Sequence, residues 1–218
     1  MARIAPGKNL AWDCATGNGQ AAVALGEVFE RVIATDASEK QIENSLAHAR
    51  VEYRVAPAEA SGLGSDTIDL ITVAQALHWF DLARFYAEVR RVLKPHGVFA
   101  AWAYKLATVT PSIDAAVGYY YSEVVGPYWP AERGLVEKFE ELAFPFPEIA
   151  PPPFEMVVEW KLEYLIGYLR TWSATQRFIA ANQSDPLKSV EEELRAAWGV
   201  PGRSRRVVWP LIVRVGKV

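Results

Sequence analysis

The first hundred residues hold five short apolar runs, each followed by a polar turn or a helix-like stretch. That rhythm restricts the fold more than any other feature. The runs span residues 9–14, 31–35, 51–56, 68–74 and 98–104. Between them, residues 18–28 are alanine-rich, and Ser38 can cap a helix running to about residue 49. Residues 82–93 place Leu82, Phe85, Val89, Val92 and Leu93 at helical spacing, and Pro95, His96 and Gly97 end that helix. A polar loop over residues 61–67 leads into the fourth run. Strands and helices alternating at this interval predict a mostly parallel sheet with right-handed crossovers. Composition agrees with a folded chain. In 218 residues, 51% are hydrophobic and the formal net charge is −3, which excludes disorder over most of the length.

The second half changes character. Residues 105–147 are rich in aromatics and read as helical and irregular, and five prolines between residues 145 and 153 read as a connector. Residues 154–162 alternate as a strand, residues 163–181 have helical spacing, and residues 211–215 form a closing strand. That last strand is expected to begin after Pro210, which cannot donate to a ladder. The late strands imply an antiparallel edge. The expected organisation is a single domain: a cofactor-binding core at 1–104, a helical cap insertion at 105–153, and C-terminal strands and helix completing the sheet at 154–218.

The segment Asp13-Cys14-Ala15-Thr16-Gly17-Asn18-Gly19-Gln20 joins the first strand to the first helix. Gly17 can take a positive φ, Gly19 leaves room for a ligand against the backbone, and the helix start offers free N–H groups. Asp36 ends the second strand, 19 residues after Gly17, where a carboxylate can accept both ribose hydroxyls. Together these features point to a ribose-bearing cofactor. Gly17, Gly19 and Ala22 formally fit a nicotinamide dinucleotide loop, so an NAD-dependent oxidoreductase is one alternative. Asp13, four residues before Gly17, would repel pyrophosphate and suits a cationic, phosphate-free cofactor better.

The segments "DCATGNGQAAVAL", "VIATDAS", "RVAPAEA", "DTIDLITVAQALHWFD" and "EVRRVLKPHGVFAAWAY" resemble, in order and spacing, those of class I S-adenosylmethionine-dependent methyltransferases. The likeness is to the small-molecule type similar to trans-aconitate methyltransferases. It is strong over residues 9–104 and weaker beyond. It implies a Rossmann-like α/β fold: a seven-stranded, mostly parallel sheet with helices on both faces, an antiparallel last strand and a helical cap. It also implies S-adenosyl-L-methionine as cofactor. By the same resemblance, Gly17 and Gly19 match the glycines under the methionine and ribose, and Asp13 the acid that orients the loop and can meet the ammonium. Asp36 matches the ribose carboxylate, and Ala58 and Glu59 the adenine-side loop. Gln75, Ala76 and His78 match residues beneath the sulfonium and beside the substrate. Family members carry several dozen residues before the glycine loop, including a helix over the cofactor. This chain has about a dozen, so either its start is lost or misassigned or its pocket is unusually open, which motivates a second alternative, a cofactor-binding regulator or partner subunit without transferase activity.

Methyl transfer from a sulfonium is an in-line displacement from a good leaving group, so the protein mainly aligns the reactants and excludes water. A carboxylate acceptor is ionised at pH 7 and needs no base; an alcohol, phenol or ammonium acceptor can need one. Methylation of a small molecule, with carboxyl O-methylation first, is the resulting expectation. His78 is the candidate base, with packing beside Trp79 as its structural alternative. Substrate candidates are Trp79, Tyr104, Tyr120, Trp172 and Arg177; Arg170 and Arg177, seven apart, share a helix face and could bind a carboxylate. Aromatic faces after residue 102 could also receive a cationic group, although most are expected to form the core of the cap.

Other features limit the partners. Arg203, Arg205 and Arg206 read as an exposed loop, Cys14 as a small core residue, and histidines 48, 78 and 96 lack metal-ligand spacing, so no metal is expected. No apolar run approaches the ~20 residues of a membrane span. Residues 1–11 are too weakly apolar for a signal peptide. One cysteine allows no intrachain disulfide and fits a reducing, cytoplasmic setting. The slightly acidic balance argues against nucleic acid. The expected partner is a small-molecule methyl acceptor, and a second subunit could cover an open cleft as a homodimer.

Overall fold

The computed structural model describes residues 2–131, 133–200 and 202–218, and they pack as two compact units. The first comprises Met1–Ala103, Lys138–Pro152 and Ile212–Val218. It contains β1 (Leu10–Cys14), α1 (Gln20–Gly26), β2 (Arg31–Asp36), α2 (Glu39–Glu43), β3 (Val51–Val55), β4 (Ile68–Ala74), α3 (Leu82–Val92) and nearly all of β5 (Leu93–Tyr104). β1 pairs in parallel with β2 on one side and β4 on the other, so Cys14 stands level with both Thr35 and Val73. These central strands are mostly apolar because both faces are covered: Ala11, Val32, Ala34, Leu70, Val98 and Ala100 lie in one buried cluster with Ala22 and Phe29. Trp12 and Phe85 meet edge-to-face at 6.2 Å. The start of β1 is fixed by buried Asp69, whose Oδ2 accepts the N–H groups of Asn9 and Leu10 at 3.0 Å each while its Oδ1 pairs with Lys94.

The second unit comprises Tyr104–Glu137 and Pro153–Leu211. It holds α4 (Pro111–Tyr119), α5 (Arg133–Glu137), β6 (Phe154–Trp160), α6 (Leu162–Thr171), α7 (Ser173–Asn182) and α8 (Glu191–Trp198). Its core gathers Ile113, Tyr120, Leu165, Leu169, Leu194 and Trp198. β7 (Arg205–Lys217) begins in this unit, pairs antiparallel with β6 from Trp160↔Arg205 to Phe154↔Leu211, and ends in the first unit. The sheet order is β3-β2-β1-β4-β5-β7-β6. The seven-stranded, mostly parallel α/β sheet with antiparallel last strands is therefore as expected.

Several boundaries differ. The helix expected from Ser38 to residue 49 stops at Glu43; it has no buried residue, so nothing beyond the Ser38 cap sustains it. β5 begins at Leu93 rather than Val98, passing through His96 at φ 65°, with a shift in the ladder between Ile68 and Leu70. The 163–181 helix is two helices, α6 and α7, broken at extended Trp172. β7 includes Pro210, level with Glu155 and exposed, where a ladder tolerates a residue without an N–H. Arg205 and Arg206, expected in a loop, lie on β7; they bond to the Trp198 carbonyl and to Glu155 respectively. The cap expected at 105–153 is divided: residues 138–152 pack with the first unit, where Phe144 stacks on Phe99 at 5.3 Å.

Candidate functional site

A cleft of about 410 Å³ opens at the carboxyl ends of the first unit's parallel strands. It lies where the chain order reverses, since β2 and β4 flank β1, and this is where an open α/β sheet binds ligands. Alanines 15, 37, 56, 58, 74 and 76 line much of it, with Asp36, Gln41 and Gln75 as its polar members and Trp79 and Phe80 as an aromatic wall. Small side chains leave room for a flat ligand against the strand ends, and the volume falls within the range of small-molecule sites.

Asp36 is tied to the glycine loop. Its Oδ2 accepts the Gly17 N–H at 2.9 Å and its Oδ1 accepts the Ser38 N–H at 2.9 Å. A carboxylate has about four lone-pair sites, so two remain for a ribose diol. The Cβ position of Gly17 has no atom within 4 Å, and φ is +58°. Gly19 behaves differently from the expected ligand approach. At φ +92° its Cβ position is filled by the Tyr53 ring, whose hydroxyl would lie 2.1 Å away, so any side chain there would be strained and would displace Tyr53. Tyr53 donates to the Leu46 carbonyl at 2.7 Å, and the Leu46 N–H donates to the Asn18 carbonyl at 2.9 Å. The short α2 leaves residues 44–50 free to make this link to the loop.

Asp13 lies beneath the loop, buried, with its two oxygens accepting the hydroxyls of Thr16 (2.5 Å) and Thr72 (2.6 Å). Burial pushes its carboxyl from 3.8 up to about 6, against the lowering effect of those hydrogen bonds. Its place is to hold β1, β4 and the loop together. Burial likewise raises the Cys14 thiol, which suits an inert core residue.

The remaining expected residues separate. Ala58, Gln75 and Ala76 line the cleft; so does Trp79, which was expected at the substrate. Glu59 does not line it: its Oε1 accepts the Asp81 N–H at 3.0 Å and fixes the entry to α3. His78 is buried in a single 3-10 turn, its ring 5.2 Å from Trp79. In the second unit Tyr120 is fully buried with its hydroxyl 2.8 Å from Thr175 Oγ1, and Trp172 packs beside it at 5.9 Å. Tyr104 packs against the cluster of Ala107, Val207 and Trp209. Arg170 pairs with Asp185 at 2.8 Å, and Arg177 is exposed on α7. Sequence reasoning missed Ala15, Ala37, Gln41, Ala56, Ala74 and Phe80. Ala15 carries φ +54° just after β1, a conformation that only a glycine would have announced. Among the described residues no group of acids, histidines and cysteine could hold a metal, and no helix is long and apolar enough to cross a membrane.

The alanine floor, the open Gly17 and the spare acceptor capacity of Asp36 fit the ribose and base of a nucleoside cofactor. Comparison with known proteins identifies which. A methyltransferase domain family matches residues 12–101. A Dictyostelium discoideum protein assigned as a methyltransferase is 36% identical over 88% of this chain and 74% of its own length. A yeast protein assigned as an S-adenosylmethionine-dependent methyltransferase is 29% identical over 42% of this chain and 34% of its own. A solved structure assigned as a type II methyltransferase from Anaeromyxobacter dehalogenans is 45% identical, covers 99% of this chain and 92% of that one, and superposes with a TM-score of 0.93. These likenesses exclude the oxidoreductase alternative, and the chain belongs to the class I S-adenosylmethionine-dependent methyltransferases.

Proposed function

We propose that the protein methylates a small organic acid on a carboxylate oxygen. When bound, S-adenosylmethionine supplies an electrophilic methyl group on a sulfonium. Asp36, Ala58, Gln75, Ala76 and the Gly17 backbone would hold the cofactor, with Trp79 and Phe80 beside it. The observation that supports a carboxylate acceptor is the chemistry of the cleft lining. Its one carboxylate, Asp36, already accepts two backbone N–H groups, and no histidine, lysine or cysteine is among the described lining residues. A lining without a free base suits a nucleophile already ionised at neutral pH.

The test is turnover with S-adenosylmethionine over matched carboxylic acids, phenols and amines, with methylated products read by mass spectrometry. Ester formation at a rate flat from pH 6 to 9 is expected, because the nucleophile's ionisation is complete there. A rate that rises through the histidine range and is lost in His78→Gln would instead assign base catalysis and a protonated acceptor. Cofactor binding with no product from any acceptor class would favour a binding protein without transfer.

A further inference from the structure

A second cleft, of about 370 Å³, lies within the second unit and is lined by Lys105, Leu106, Tyr121, Arg133 and Val136. Tyr121 sits in a π-helical turn, Tyr120–Val124, closed by the Val125 N–H on the Tyr120 carbonyl at 3.0 Å. Such turns displace side chains from regular helical positions and recur at functional sites. Tyr121, Trp129 and Trp172 pack mutually at 5.0, 5.8 and 5.5 Å between ring centres. Arg133 covers this group, its guanidinium carbon 5.0 Å from the Trp129 ring centre and 5.7 Å from that of Tyr121. Its Nε donates to the Tyr121 hydroxyl at 3.2 Å. Among the described residues neither terminal nitrogen of Arg133 has a hydrogen-bond partner.

The aromatic cluster therefore already has its cation. Rather than receiving a cationic ligand, the rings fix a guanidinium beside a cleft whose wall includes buried Val136 and half-buried Leu106. A guanidinium held flat loses little freedom when its remaining donors engage an oxyanion. We propose that Arg133 binds the oxyanion, carboxylate or phosphate, of a ligand with an apolar body. Anion binding is independent of the reaction proposed above and is measured apart from turnover.

Calorimetric titration of the whole protein with benzoate, phenyl phosphate, benzamide and benzylamine, alongside S-adenosylhomocysteine, tests the inference. Benzoate or phenyl phosphate should bind about tenfold or more tighter than benzamide, the preferred anion separating carboxylate from phosphate recognition. Arg133→Gln should reduce the anion to the benzamide level and should bind S-adenosylhomocysteine as the parent does. Arg133→Lys keeps a charge on the rings and reports if the glutamine variant does not fold; it should retain part of the discrimination. The proposal is overturned if benzamide or benzylamine binds as well as the anions. It also fails if millimolar anion gives no saturable heat, or if Arg133→Gln binds benzoate unchanged. Absent S-adenosylhomocysteine binding in the parent would refute the cofactor reading while leaving the anion result legible.

Discussion

Replacing Asp13 by asparagine should make the protein more stable at neutral pH, by an amount that grows with pH. The folded carboxyl is held at about 6, chiefly by burial, whereas its ordinary value is 3.8. Between those values the folded chain keeps a proton that the unfolded chain has lost, so Asp13's contribution to stability falls as pH rises through that window. The penalty is complete above about 6. A difference of about two pH units at 1.36 kcal/mol each gives about 3 kcal/mol. Asparagine keeps the shape, and its amide can accept from one of Thr16 and Thr72 and donate to the other, since hydroxyls rotate. Other acids titrate in the opposite sense. Arg31, Arg91 and Arg214 hold Glu52, Glu88 and Glu148 below the ordinary value, so those stabilising effects are lost on acidification. They are common to both proteins and cancel in the difference. Thermal unfolding at matched pH from 4 to 7.5 should show near-equal midpoints at pH 4. At pH 7 the Asp13→Asn variant should melt about 6–12 °C above the parent, for a chain of this size. Parallel curves, or an advantage that shrinks with rising pH, would refute the assignment of a buried, destabilising carboxylate.

Asp36→Ala should weaken S-adenosylhomocysteine binding about a hundredfold in calorimetry, the loss of two carboxylate–hydroxyl bonds, with little change in melting because water can reach the Gly17 and Ser38 amides. Gly19→Ala should cost more than about 2 kcal/mol in denaturant titration, since the new Cβ would collide with Tyr53 at a positive φ. Gly17→Ala, in open space at φ +58°, should cost only about 1 kcal/mol. Tyr120→Phe should lower stability by about 1 kcal/mol in the same titration and leave cofactor affinity unchanged, because Thr175 retains its bond to the Leu169 carbonyl.

The parallel half of the sheet was legible because its strands are buried on both faces and punctuated by turns, so apolar runs mark them directly. Asp36 and Gly17 were legible for a similar reason: a strand end followed by glycines admits few alternatives. Tertiary context decided what was missed. Pro210 forbids a ladder donor but not membership of a strand, so the start of β7 could not be read from it. The 138–152 segment reads as a connector by its prolines, yet Phe144 and Phe146 bury against Phe99, and Arg214 reaches the Leu142 carbonyl. Arg133 carries no signal at all: its significance comes from a π turn and two rings that no spacing rule places beside it.

The cleft also gathers strain where two strand ends meet. Ala15 follows β1 at φ +54° and Gln75 follows β4 at φ +56°, both in the left-handed region without glycine's freedom, and both line the cleft. Such conformations cost of order 1–3 kcal/mol each and persist only where neighbours impose them. Here the neighbours are identifiable. The Thr16 N–H is held by the Thr35 carbonyl at 2.9 Å, and the Gln75 N–H by the Trp102 carbonyl at 2.8 Å. Asp13 joins Thr16 to Thr72 below them. The adjacent ladders thus continue just past the strand ends and force the chain to turn sharply, which opens the cleft between β1 and β4. Alanine and glutamine announce no turn, so this feature of the site comes from the sheet rather than from a local motif. It also explains why a loop with glycine at only Gly17 and Gly19 can still make the full bend.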